Sequence, residues 1–473
     1  MSWARRIVEV VKSSTTITTW YSRIPLIINV FLVLPLVLRY FDLSDVALYY
    51  LVGSFMRYQD IADLGFGFSY SRYYSYAYAG ATSLLTSDIA DKKGRKDKPQ
   101  LELIAALYKS NRRDYAIIAF FFMILIGGYA TYQMREYLRD EVFLVTWLSF
   151  VFSLGIKVRY KFVESFIVGV QELARLKLVT GHFAVAQVII LFLVLLATKS
   201  IYAGIWTNVV FFWLIILRNY ILAKRIFKEK GIAFNQVNPL TGPVKKELVS
   251  VALKSGWGNL VTSGFYTSSG FIFAPTLSEL NLAILTFSNR IIDVIRDFSR
   301  APFYSKLPEL NSVYVKNREL LKEKSKKYIE RSTFIYLLGV IAFLLVNKIL
   351  LKYIGGELNE IPNAYWIFLG TTFFLERIGS VSVQLYSVSN KVKYHIINTV
   401  FFIVSLIVLL VTISHGIYSY PLAITVGLVL VYVPASLVLL YKEYQWSLID
   451  VFRSSFLMFL IFIVTSFLYD QFL

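Results

Sequence analysis

Apolar segments of about 20 residues, the length that one helix needs to cross a bilayer core, recur from one end of this chain to the other. Between them lie short turns or runs of Lys and Arg. The 473 residues are 57% hydrophobic and 17% charged, whereas a soluble domain carries about 25% charged residues. The pattern predicts an all-α polytopic membrane protein with about a dozen spans. The expected spans are 17–38, 46–68, 115–132, 142–156, 178–197, 205–222, 248–275, 280–302, 333–353, 364–385, 396–414 and 421–441. A final run, 454–469, reads either as a thirteenth span or as a helix lying at the interface. Residues 1–12, with Trp3, Ile7 and Val10 set against Arg5, Arg6 and Lys12, read as an amphipathic surface helix.

The net charge of +19 would point to nucleic acid in a soluble protein. Here its distribution gives a simpler reading. Stretches 82–113, 157–178, 218–254 and 300–332 hold most of the Lys and Arg, while the intervening turns hold few. The bias keeps its sense through every alternation, so the N-terminus is expected in the cytoplasm, with no nucleic-acid partner. The chain has no cysteine, and its three histidines are scattered, so no metal-ligand pattern is present.

The linker-like stretch 223–247 divides the chain near its middle. The expected organisation is an N-terminal six-helix lobe (1–222), a cytoplasmic linker (223–247), a C-terminal six-helix lobe (248–441) and an amphipathic or further spanning segment (442–473). Each half has two spans, a long basic loop and a tight hairpin, with semi-polar turns at 168–177 and 385–393. Two parallel repeats of this kind leave a cavity between the lobes.

Charges inside apolar segments are expensive in lipid and mark function by default. Arg57, Asp60 and Asp63 are spaced to share one helix face. After them Tyr70, Tyr73 and Tyr74 flank Arg72. Guanidinium binds phosphate in a fixed fork, and flat aromatic rings suit sugars. Arg23, Arg57, Arg72 and Arg290, with these tyrosines, are therefore the candidate substrate-binding groups, Arg23, Arg57 and Arg290 converging on a diphosphate. The competing reading is that the arginines pair with Asp60, Asp63, Asp293 and Glu376 and hold helices together. Asp60, Asp63, Asp293, Arg296, Glu376 and Arg377 are the candidates for a gate or for ion coupling. Alternating signs from Arg290 through Arg300 also fit a ladder within one helix. No residue set points to catalysis. The chain is read as a transporter of a large anionic lipid bearing sugar.

The stretch DLGFGFSYSRYYSYAYAGA, residues 63–81, resembles the end of the second helix in Wzx-type O-antigen and capsule repeat-unit flippases. These form a branch of the multidrug/oligosaccharidyl-lipid/polysaccharide exporter superfamily. The resemblance implies alternating access of two lobes that moves undecaprenyl-diphosphate-linked oligosaccharide across the bacterial inner membrane. It implies no cofactor beyond a proton or sodium gradient. Its partners would be the lipid-linked glycan, membrane lipids, a polysaccharide polymerase and a chain-length regulator. Arg23, Arg57 and Arg290 match the cavity arginines of related lipid II flippases by helix. The alternative is a cation-coupled multidrug antiporter of the same fold.

Overall fold

Apolar runs that cannot leave a backbone group unpaired in lipid must become helices, and every long apolar run among the described residues is one. The structure is a computed structural model. It describes residues 14–472 except 43, 44, 46, 47, 50, 51, 54, 57, 58, 60, 61, 91–97, 136–139, 234–236, 274–276 and 355–360. The expected surface helix at 1–12 lies outside them, as do Arg57 and Asp60. No strand occurs among the described residues.

The chain forms two compact units, residues 1–256 and 257–473. In the first, the opening span is broken. Helix α1 (Thr15–Tyr21) is capped by Ser14 and stops before Arg23 and Pro25. Helix α2 (Ile24–Ile28) carries that proline in its first turn and continues through a wide turn into α3 (Leu34–Tyr40). Then come α4 (Phe66–Tyr78), α5 (Leu101–Phe121), α6 (Glu141–Tyr160), α7 (Phe162–Gly169), α8 (Leu173–Thr198) and α9 (Ile201–Lys230). Asp140 and Ser200 cap α6 and α9 by accepting backbone N–H bonds, which satisfies donors that a helix start leaves open. Trp147, stacked between Phe143 and Phe150, anchors the core of this unit together with Phe55 and Phe212.

Helix α10 (Gly242–Phe273) contains the boundary between the units. Its first half, which the sequence reading divides between the linker (to 247) and the second lobe (from 248), is tied to the first unit. Lys245 pairs with Asp114, and Glu247 accepts from Thr86. Gly65, at φ +72°, also lies against this stretch; a Cβ there would meet Ala252 O at 2.7 Å.

The second unit holds α11 (Glu279–Tyr304), α12 (Leu307–Lys316), α13 (Arg318–Ile354), α14 (Asn363–Ser387), α15 (Tyr394–Thr412), α16 (Ser419–Gly427), α17 (Val433–Tyr444) and α18 (Leu448–Phe472). Here α11 packs on α13 where Ile295 approaches Gly339; a Cβ on that glycine would lie 2.8 Å from the isoleucine. Helix α18 packs along α13 and α14. Ser454 donates to Glu330 (2.6 Å) and Ser455 meets Thr333 (3.2 Å). Further on, Phe459 stacks on Phe374 at 4.1 Å, and Phe462 reaches Gly370 beside Val340. Contacts that advance together along both helices mean that α18 runs parallel to α13.

Six described helical stretches are long and apolar enough to cross a membrane. Their outer faces show Phe121, Leu125, Ile396, Val411 and Leu430 unburied. Such faces are costly in water and ordinary in lipid.

Candidate functional site

Two constellations of charge and aromatic rings stand out, one in each unit. The first is the motif at 63–81. Asp63 accepts from Gly67 N (3.1 Å) and from the Tyr115 hydroxyl, and Lys161 lies at 3.9 Å. Leu64 and Gly65 both take positive φ, so the chain turns sharply between the second apolar run and α4. Instead of continuing the second span, the aromatic tail is a helix of its own. Helix α4 packs on α7 and α5, and Tyr70, Arg72, Tyr73 and Tyr74 have 0% exposed surface.

Several polar groups of α4 find protein partners. The Tyr70 hydroxyl donates to Asp114 (2.6 Å) and accepts from Lys245 (3.1 Å). Asn111 donates to the Tyr74 hydroxyl and to Phe162 O. Arg72 reaches Ser69 at 3.5 Å and sits over the Phe68 ring at 4.9 Å. The sequence reading has these groups facing a substrate cavity. In this conformation they are sealed inside the first unit. The partners Asp114 and Lys245 escape a reading along the sequence, because both lie in stretches that look like basic loops.

The second constellation is on α11. Ser278 caps this helix. One side, with Ile284, Leu285, Ser288 and Ile292, is buried. The other side exposes Thr286, Arg290 and Asp293, with Asn289 and Asp297 half-exposed. These residues recur every three to four positions, so they form one polar stripe. Charged groups open to solvent on a membrane-length helix belong against water, not lipid.

Beside the stripe lies a buried ionic cluster. Arg296 donates to Asp293 at 2.7 Å and stands 3.4 Å from Glu376. Arg300 holds both oxygens of Glu376, at 3.0 and 3.2 Å. The Arg296 guanidinium lies over Phe373 (4.1 Å) and Tyr266 (5.1 Å). Arg377 faces away from the carboxylates. It donates to the carbonyls of Ser299 and Ser332 (3.3 Å each) and to both serine hydroxyls, beneath the Tyr336 ring. Adjacent residues on a helix point about 100° apart, and Glu376 and Arg377 use that angle to clasp different partners. Arg300, read as part of a ladder along one helix, instead bridges to α14.

The structure brings Asp293, Arg296, Glu376 and Arg377 together, with Arg290 one turn away on α11. Arg23 sits half-buried at the α1–α2 break in the other unit. Among the described residues no group of His, Asp and Glu could hold a metal ion.

No family model matches the sequence, and no curated protein matches it. Solved structures do match. A point mutant of a MATE protein aligns over 94% of this chain and 97% of its own, with 12% identity and a TM-score of 0.67. An outward-facing multidrug resistance MATE family transporter of the MOP superfamily aligns over 95% and 98%, with 13% identity and a TM-score of 0.63. The bent form of the Vibrio cholerae MATE transporter VcmN covers 92% and 98%, at 13% identity and a TM-score of 0.62. The chain therefore has the all-helical, multi-pass fold of MATE transporters of the MOP superfamily.

Proposed function

We propose that this chain is a transporter of the MOP superfamily that works by alternating access and carries an anionic substrate. The observation behind the charge preference is the α11 stripe, where Arg290 is exposed on a membrane-length helix beside a cluster with three arginines and one buried glutamate. An exposed guanidinium such as that of Arg290 can bind phosphate. In its full form the proposal is a flippase for undecaprenyl-diphosphate-linked oligosaccharide in the bacterial inner membrane, with a cytoplasmic N-terminus.

The solved neighbours support a second reading, a cation-coupled multidrug antiporter. The likeness of fold sits somewhat better with it, since the neighbours include a multidrug resistance transporter. The two readings part on charge. Purified protein in liposomes would be given a fluorescent undecaprenyl-diphosphate oligosaccharide in one arm and a cationic dye in the other. The flippase reading expects protection of the lipid probe from external quencher, lost in Arg290→Ala, and no gradient-driven dye movement. Dye movement without lipid exchange selects the antiporter.

A further inference from the structure

A second charged surface lies away from the α11 stripe. In the first unit a groove of about 1050 Å³ opens between α5, α6 and α9 at the end where Lys and Arg gather. Lys109, Arg112, Arg159, Lys224 and Lys228 line it, and no Asp or Glu does. Five like charges around one space repel one another unless an anion lies among them.

The groove's cations have no acidic counterpart in its described lining. Among the described residues, the buried Nη1 of Arg159 has no hydrogen-bond acceptor. A buried donor left unpaired on a charged group is costly. A second cation adds to that cost, since Arg112 acts on Arg159 by repulsion. Lys109 is already turned to Val237 O (2.7 Å), and Lys224 lies over the Tyr220 ring at 4.7 Å.

The wall along α9 adds an apolar side. Trp213, Leu217, Tyr220 and Lys224 follow one another at intervals of three and four residues, so they form one stripe. Trp213, Leu217 and Tyr220 are 44%, 56% and 40% exposed. The stripe runs from Trp213 and Leu217 through Tyr220 to Lys224 over about 16 Å. That order, large apolar side chains first and the cation last, follows a lipid from chain to headgroup. A free soluble anion has no use for the apolar part.

We propose that this groove binds an anionic phospholipid of the surrounding membrane. The lipid phosphate takes Arg112 together with the accessible part of the Arg159 guanidinium, and an acyl chain lies along Trp213 and Leu217. The site is separate from the α11 stripe and stands whether the transported substrate is a lipid-linked sugar or a drug.

The test uses the full chain, purified in detergent and followed by native mass spectrometry and thermal unfolding. Phosphatidylglycerol, phosphatidylcholine and inorganic phosphate are added in separate arms. The expected result is a retained phosphatidylglycerol adduct and a rise in Tm, with neither phosphatidylcholine nor inorganic phosphate matching it. Arg159→Gln should weaken the adduct about tenfold, the loss of a charge-assisted hydrogen bond. Lys224→Gln, at the open rim, is a second variant in case the first unfolds, and it should weaken the adduct in the same direction. Equal binding of phosphatidylcholine overturns the proposal, as does an adduct unchanged in both variants. Equal protection by inorganic phosphate overturns it too, in favour of a plain anion site.

Discussion

The two units use the same chemical parts, arginine among aromatic rings, for opposite ends. In the first, Arg72 has no exposed surface and lies over the Phe68 ring. In the second, Arg296 is almost as deeply buried, but the helix that carries it also presents Arg290 and Asp293 to solvent. An intramembrane arginine is costly in either setting. Residue type alone does not distinguish an internal strut from a substrate contact. What distinguishes them is whether the partners exhaust the charge and whether the same face reaches water.

The strongest test of this contrast is Glu376, the carboxylate shared by Arg296 and Arg300. Glu376→Ala takes from Arg300 the acid that holds it across to α14 and leaves the buried Arg296 with Asp293 alone. Removing one member of a buried ion pair costs about 3–5 kcal/mol. Thermal or denaturant unfolding in detergent should show a large fall in stability. A change below about 1 kcal/mol would mean that the cluster is solvated and contributes little to the second unit.

Next in size is Arg72→Ala. It empties a fully buried site between α4 and its neighbours and strands Ser69, so stability should fall by about 2–3 kcal/mol. Transport per folded molecule should stay near wild type. If instead the variant remains stable and transport collapses, Arg72 contacts substrate in another conformation, and the contrast with α11 disappears.

Arg290→Ala sharpens the contrast from the other side. Its side chain is exposed, so stability should stay within about 0.5 kcal/mol of wild type. Transport of the anionic probe should fall about tenfold, which corresponds to about 1.4 kcal/mol. Restored rates in Arg290→Lys would indicate simple charge attraction. Continued loss would indicate the guanidinium fork.

These expectations also mark what could be read along the chain. The spans were legible because length and apolarity are local properties, and α6, α8 to α11 and α13 to α17 cover the expected runs, whereas α5 starts at Leu101 inside a stretch that reads as loop. Glu376 and Arg377 stood out for the same reason, as charges within an apolar run. The partners were not legible. Arg300 has equally good spacing for Asp297 on its own helix, and only the packing of α14 on α11 gives it Glu376. Asp114 lies between basic residues and reads as loop, yet α5 carries it to Tyr70 and Lys245. The burial of Tyr70 and Arg72 depends on the turn at Leu64 and Gly65. Tyrosine-rich sequence fits a wet cavity and a sealed helix bundle equally well.

The smallest effect separates pH effects on folding from pH effects on transport. Glu309 lies on α12, outside the spanning helices, with Lys306 at 3.3 Å and Lys324 and Tyr328 also in reach. Burial pushes its carboxyl up, but the Lys324 hydrogen bond and the charges of both lysines outweigh burial and hold it below the ordinary 4.5. A depressed folded pKa adds stability above the ordinary value, and that stability is lost as pH falls through the folded one. Because the group is partly exposed, the contribution should stay under about 1 kcal/mol. Glu309→Gln should therefore flatten the acid limb of the stability curve slightly and leave stability at pH 7 lower by that amount. A transport rate whose pH dependence near neutrality is unchanged in this variant would assign that dependence to groups elsewhere. A shift of the transport profile near pH 7 would show that α12 is coupled to the transport cycle, which its geometry gives no reason to expect.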